Sequence, residues 1–173
     1  MQWYERIGRT KLIHLKNYTD DFFSFLLKSN NVNKPEVGAL DEEKLQLLID
    51  QANYCKIVFY NDVPAGFLLC LPENIKYDSM NYEWVSERYK NFMYIDRISV
   101  IQEFRNKQLG TALYNDLIKY SKEENYDIIL CEVNIYPPNP KSIRFHKRFD
   151  FIECGSQFTE GGKKQVQFFF REL

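Results

Sequence analysis

The sequence predicts one α/β (α+β) domain, residues 1–173, built on a central mixed, mostly antiparallel twisted sheet flanked by helices. Three observations carry that prediction. The length of 173 residues suits one substantial core. Hydrophobic residues make up 45% and aromatics 16%, which argues against disorder. Short apolar runs at strand spacing also alternate with helical stripes, ending in a strand–helix–strand–helix–hairpin order.

Taken in order, "KLIHLKN" (11–17) alternates apolar and polar and reads as a strand. "DDFFSFLLK" reads as a helix, with Asp20 and Asp21 matched to the positive end of its dipole. "LDEEKLQLLIDQA" (40–52) is a second short helix with Asp41 as its cap. "YCKIVFY", "NDVP" and "AGFLLCLP" give a hairpin. Residues 73–91, polar and aromatic together, read as a long loop. "FMYIDRISVI" (92–101) is a strand. "NKQLGTALYNDLIKYSKEEN" is a helix with Leu109, Ala112, Leu113, Leu117 and Tyr120 on one stripe. "YDIILCEV" (126–133) is apolar enough for a buried central strand. "NPKSIRFHKRF" is a helix capped by Asn139 with Pro140 at its first position. "FIECGSQF" and "KQVQFFF" form a last hairpin around Gly161 and Gly162. The helix at 107–125 then joins two strands by a right-handed parallel crossover.

Lys plus Arg number 23 and Asp plus Glu 24, so the formal charge is −1. That balance argues against a dedicated nucleic-acid binder, which needs a basic excess, and leaves room for a local basic patch. The four cysteines (Cys55, Cys70, Cys131 and Cys154) form no CxxC pair and read as reduced, largely core residues rather than metal ligands. "MQWYERIGRTK" has no apolar signal region, and "AGFLLCL" is far too short to cross a bilayer. A soluble cytoplasmic protein with no membrane or metal partner is the expectation.

The stretch "EFRNKQLGTAL" (103–113) runs from a strand end into a helix start. The first amides of a helix lack internal acceptors and, with the dipole, favour an anion. Arg105 and Lys107 stand beside them. Only Gly110 is a glycine, so the stretch fits neither a Walker loop nor a dinucleotide fingerprint. "ISVIQEFRNKQLGTALYNDLI" resembles motif A, [Q/R]-x-x-G-x-[G/A], of the GNAT superfamily of N-acetyltransferases: Arg105 and Gly110 match, and Gln108 replaces the middle glycine. "NPKSIRFHKRFDF" resembles motif B, N-x-x-A-x-x-x-Y-x-x-x-G-F, with Asn139 and Phe151 matching and Ser142, His146 and Asp150 departing. The resemblance extends over residues 10–171.

The resemblance implies an acetyl-coenzyme A-dependent N-acetyltransferase of single-domain GNAT-like fold, with a splay between the strands at 92–101 and 126–133. It places the pyrophosphate of acetyl-coenzyme A, as cosubstrate, on Arg105, Asn106, Lys107, Gln108, Leu109, Gly110 and Thr111. The pantetheine arm would lie along Ile98, Ser99 and Val100, with Asn139, Ser142 and Phe145 completing the coenzyme site. The amine acceptor would enter the splay.

Direct transfer needs a neutral amine, an oxyanion donor and a proton for the leaving thiolate. A primary amine of pKa ~10.4 is only about 0.1% neutral near pH 7, so a base helps. Asp96 and Glu132, carboxylates in apolar strands, are the base candidates; each could instead form an ion pair with Arg97 or Arg144. The Val100 amide is the oxyanion candidate. His146, in the place of the family's tyrosine, is either the thiolate's proton donor or a packing residue, with Tyr136 and Tyr94 in reserve. His14 reads as structural. Tyr82, Trp84 and Tyr89 either wall an acceptor pocket or pin the 73–91 loop, and Glu83 and Glu87 could attract a cationic amine. A second class of reading is a GNAT-like module that binds acyl-coenzyme A without transferring it, as a sensor or partner protein. The acceptor's identity and the oligomeric state, a homodimer included, stay open.

Overall fold

The computed structural model describes residues 12–32 and 38–173; the opening "MQWYERIGRTK", Lys11 of the first expected strand included, lies outside them. One seven-stranded sheet runs through the molecule. Its strands are β1 (Ile13–Asn17), β2 (Tyr54–Tyr60), β3 (Val63–Pro72), β4 (Phe92–Val100), β5 (Ile128–Tyr136), β6 (Ile152–Thr159) and β7 (Lys164–Glu172), in the order β1-β2-β3-β4-β5-β7-β6. Every neighbouring pair is antiparallel except β4–β5. That exception follows from the connection, because a strand followed by a full-length helix returns parallel.

The helices are α1 (Phe23–Val32), α2 (Glu42–Gln51), α3 (Met80–Ser86), α4 (Leu109–Glu123) and α5 (Pro140–Lys147). The Asp41 carboxylate accepts from the Lys44 amide at 2.8 Å to start α2, and Asn139 accepts from the Ser142 amide at 3.3 Å to start α5. Two apolar layers cover the sheet. Leu109, Leu113, Tyr114 and Leu117 of α4 pack on Met93, Ile95, Ile129 and Cys131. Leu26, Leu45 and Leu48 of α1 and α2, with Tyr82 and Val85 of α3, pack on Phe92, Tyr94 and Leu130 of the opposite face. Strand alternation sends successive residues of β4 and β5 to the two layers. The four cysteines are free thiols, Cys70 and Cys131 buried among the apolar side chains.

The β2–β3 turn is tighter than "NDVP" suggests: Asn61 and Asp62 alone make it, at φ 48° and 65°, where short polar side chains tolerate the left-handed region. Two further differences bear on function. Residues 73–91 are not a plain loop, since Ser79 caps the two-turn helix α3 through the Tyr82 amide (3.3 Å). β5 also continues past residue 133 to Tyr136 because β7 pairs along it, so the connector to α5 is short.

Candidate active site

The β4–β5 ladder runs only from Phe92↔Ile128 to Tyr94↔Leu130. Beyond it β4 stays with β3 and β5 with β7, so the two strands splay apart. A cavity of about 460 Å³ opens at the splay, between the start of α3, the residues near Asn139 and the β6–β7 turn. On β4 the register against β3 slips between Leu69↔Arg97 and Cys70↔Ile95, leaving Asp96 as the extra residue of a bulge. The bulge shifts the alternation, so Ile95 faces α4 while Arg97 and Ser99 face α1. The Ile101 amide donates to the Ala65 carbonyl of β3 at 2.9 Å. Alternation from that point directs the N–H groups of Ile98 and Val100 to the opposite side, into the splay.

Glu132 stands on β5 where the splay begins. Its Oε2 accepts from the Tyr94 hydroxyl and its Oε1 from Asn81 Nδ2 at 3.1 Å. Asn81 Oδ1 in turn accepts from Gln157 Nε2 at 2.8 Å. Removal from water, reinforced by the nearby Asp96 charge, pushes the Glu132 carboxyl up to about 7, against the opposing pull of the Tyr94 and Asn81 hydrogen bonds.

Asp96 has different company. Arg97 Nε lies 2.6 Å from Asp96 Oδ2, with both side chains buried. Arg97 Nη1 also donates to Asn30 Oδ1 at 2.9 Å and to the Gly38 carbonyl at 3.2 Å. Tyr77 sits beside Asp96, and burial raises its phenol pKa. Asp96 is thus the ion-paired carboxylate, while Glu132 is held by neutral donors and stays free to take a proton.

Of the two readings of His146, proton donor or packing residue, its surroundings favour the packing residue. The ring is 3% exposed, and burial lowers its pKa to about 4. Its Nδ1 lies 2.8 Å from the Ser142 carbonyl, which can only accept, so Nδ1 carries the proton. Nε2 therefore accepts from the Tyr114 hydroxyl, 2.7 Å away. A neutral imidazole with its one proton bound to the backbone has none to give near pH 7. The hydroxyl aimed at it, Tyr114, was neither among the sequence candidates nor on the stripe read for α4, although it lies three residues before Leu117 and is buried. Tyr136 is 58% exposed at the end of β5 and does not line the cavity. His14 stacks on Phe59 with centroids 4.8 Å apart.

Tyr82, Trp84 and Tyr89 pin α3 rather than wall the cavity. Tyr82 is buried edge-on to Phe92 and Tyr94, Trp84 stacks on Phe168 at 4.0 Å, and Tyr89 packs near Trp84 and Phe170. Glu83 and Glu87 lie outside the lining, and Glu87 pairs with Arg88 at 3.0 Å. The segment's contribution to the cavity comes from Tyr77 to Asn81, just before and within the first turn of α3.

At the other end of β4, a short turn leads into α4. Asn106 (φ 61°) and Gln108 (φ 64°, ψ 17°) both adopt the left-handed conformation, so Gln108 holds the backbone shape that the motif's glycine would take without strain. Arg105 Nε donates to the Val100 carbonyl at 3.3 Å, and Lys107 Nζ lies 5.4 Å from the centre of the Tyr60 ring. Leu109, the first residue of α4, is buried against the sheet, with Thr111 following in the same turn. A Cβ on Gly110 would come within 3.2 Å of the Phe145 ring, so the glycine lets α4 and α5 close together behind the turn. Ser99 is placed elsewhere: its hydroxyl is buried 2.8 Å from that of Ser29 on α1.

A mixed sheet split at its one parallel pair, with a basic turn and helix start behind one strand and a buried carboxylate at the opening, defines an α+β fold with its candidate site in the splay. The model of the Acetyltransferase (GNAT) family matches residues 16–151, and the chain belongs to that family. An N-acetyltransferase of Methanocaldococcus jannaschii, described as uncharacterized, is 32% identical over 94 residues, covering 54% of this chain and 36% of that protein. The chain thus matches about a third of the length of that curated relative. Among solved structures, Ard1 from Thermoplasma volcanium superposes with a TM-score of 0.76 at 13% identity, covering 93% of this chain and 97% of that one. The Escherichia coli ribosomal-protein-S18-alanine N-acetyltransferase gives 0.71 at 12%, covering 93% and 94%. Arabidopsis thaliana Naa50, solved with the bisubstrate analogue CoA-Ac-MVNAL, gives 0.72 at 18%, covering 93% and 99%. At these identities the likeness is one of fold. Among the described residues no helix is long and apolar enough to cross a membrane, and no group of three or more His, Cys, Asp or Glu could hold a metal ion.

Proposed function

We propose that the protein is an acetyl-coenzyme A-dependent N-acetyltransferase that moves the acetyl group directly to a primary amine, with Glu132 as the base. The observation that carries this reading is the Glu132 carboxyl, raised to about 7 and held by Tyr94 and Asn81 at the mouth of the splay. The coenzyme fits the residues present. The left-handed Asn106 and Gln108 shape the turn into α4, whose first amides lack helical acceptors and would suit an anion, and Arg105 and Lys107 add charge. Acetyl-coenzyme A would supply the acetyl group as an activated thioester. The N–H groups of Ile98 and Val100 face the splay and would orient an extended amide-bearing arm, while the Val100 amide would hold negative charge developing on the acetyl oxygen.

Glu132 takes the first proton from the acceptor ammonium. As the nitrogen–carbonyl bond forms and the carbon–sulfur bond breaks, the coenzyme would leave as thiolate and take up the second proton shed by nitrogen, so no side chain has to supply one. A base of pKa about 7 is well matched to an α-amino group (pKa ~7.7–8.0) and poorly matched to a lysine amine (~10.4). The acceptor favoured by that match is a peptide or amino-acid α-amine; the Escherichia coli structural neighbour is named for an alanine of a ribosomal protein. The test is thiol release from acetyl-coenzyme A with a panel of peptides and small amines. Turnover on α-amines, lost at least 10²-fold in Glu132→Gln, supports the assignment. Coenzyme binding without transfer to any amine would support the binding-module reading instead.

A further inference from the structure

Each oxygen of Glu132 is occupied by a different kind of partner. Tyr94 belongs to the strand across the splay, and its hydroxyl can turn to suit either acceptor or donor. Asn81 belongs to the first turn of α3, and its side chain has one donating and one accepting end of nearly equal shape. Left alone, the amide could meet Glu132 with either end. Gln157 biases the choice: its Nε2 donates to Asn81 Oδ1 at 2.8 Å, which leaves Nδ2, the end an ionised carboxylate accepts from, for Glu132 at 3.1 Å. Gln157 stands on β6, the outermost strand beyond β7, and Trp84 packs on Gly155 of the same strand. The hairpin and α3 therefore meet Glu132 as one unit.

We propose that Asn81 and Gln157 are positioning residues, a two-amide relay in which the β6–β7 hairpin fixes the Asn81 amide and the amide fixes the Glu132 carboxylate. The proposal deepens the assignment of Glu132 as the base and rests on it for its catalytic meaning. A donated hydrogen bond favours the charged form, so the relay holds the carboxyl lower than burial alone would and keeps more of it ready to accept a proton near neutral pH. It also occupies Oε1 along a fixed direction. Other groups set the background: Tyr94, Asp96 and Arg97 of β4, Tyr77 and Asp78 before α3, Cys131 beside it on β5, neutral His146 on α5, and Glu160 and Lys164 at the hairpin end of the cavity. Asp96 opposes the relay, and its pairing with Arg97 at 2.6 Å limits that opposition.

The test reads the carboxyl itself. The δ-carbon NMR signal of Glu132, assigned by its absence in Glu132→Gln, is titrated in the wild type, Asn81→Leu, Gln157→Leu and the double variant. Asn81→Leu should raise the midpoint by about one pH unit, the worth of a hydrogen bond to a charged acceptor. Gln157→Leu should raise it by less, and should add nothing in the Asn81→Leu background. Gln157→Glu, which invites the Asn81 amide to turn round, should raise it more than Gln157→Leu does. An unchanged midpoint in Asn81→Leu, an equal effect of Gln157→Leu with and without Asn81, or a Gln157→Glu midpoint no higher than that of Gln157→Leu would each overturn the relay. Because this readout needs no turnover, it stands apart from the function: the expected midpoints with no acetyl transfer would remove the enzyme assignment and leave the relay. Where transfer is found, kcat/KM of Asn81→Leu at pH 6 should fall up to about tenfold.

Discussion

At the scale of single residues, the site uses side chains in places where local preference is against them. Gln108 sits at φ 64° with no hydrogen bond from its side chain to the start of α4, a conformation that costs a non-glycine residue about 1 kcal/mol. Gln108→Gly should remove that strain and, after the added freedom of the unfolded chain, stabilise the protein by about 0.5 kcal/mol in urea titration. Coenzyme affinity should be at least that of the wild type by calorimetry; weaker binding would mean that the Gln108 side chain itself contributes a contact. Tyr114 and His146 behave differently, because each satisfies the other where both are buried at the cavity wall. Tyr114→Phe leaves His146 Nε2 buried without its donor and should cost about 1–3 kcal/mol in the same titration. A loss below about 0.5 kcal/mol would mean that water reaches the ring.

At the scale of elements, the parts legible in the sequence were those with local causes. Asp41, Asn139 and Pro140 announce helix starts because a cap acts within three residues, and the α4 stripe is long enough for its period to show. Helix α3 was hidden because two turns are too short to display a period and its buried face is made of aromatics that also suit a loop. The bulge at Asp96 left no trace, since it arises from pairing with β3, some thirty residues away in the chain. Glu132 was readable as a carboxylate in an apolar strand, but its amide partners on α3 and β6 were not. The same long-range packing gives a prediction. A Cβ on Gly155 would lie 2.5 Å from Trp84 Cζ2, so Gly155→Ala must push the indole from its stack on Phe168. The variant should lose about 1–3 kcal/mol and change its near-ultraviolet dichroism. It should also loosen α3 and with it Asn81, so its acid limb of kcat/KM should move up in pH together with that of Asn81→Leu. An unaltered limb in a folded variant would show that α3 holds its place without Trp84.

At the scale of the whole molecule, the folded state carries its proton in an unusual place. Glu132 rises from 4.5 to about 7 on folding, while His146 falls from 6.5 to about 4. For Glu132 the associated stability is present below pH 4.5 and is lost as the pH rises through 7. For His146 it is present above pH 6.5 and is lost as the pH falls through 4. Between pH 4.5 and 6.5 the folded chain therefore holds one more proton on Glu132 and one fewer on His146 than the unfolded chain does, and the two slopes cancel. Replacing Glu132 by glutamine should break the cancellation. Each uncompensated proton is worth about 1.36 kcal/mol per pH unit, so the stability of Glu132→Gln relative to the wild type should climb between pH 4.5 and 7, by on the order of 3 kcal/mol in all. Denaturant titrations of both proteins at pH 5, 6, 7 and 8 measure that difference directly, and the other carboxylates, common to both, drop out of it. A difference that stays constant with pH would mean that Glu132 ionises near its unfolded value and is not the neutral-range base. A rising difference, joined to lost turnover in the same variant, is what a base kept at the expense of fold stability requires.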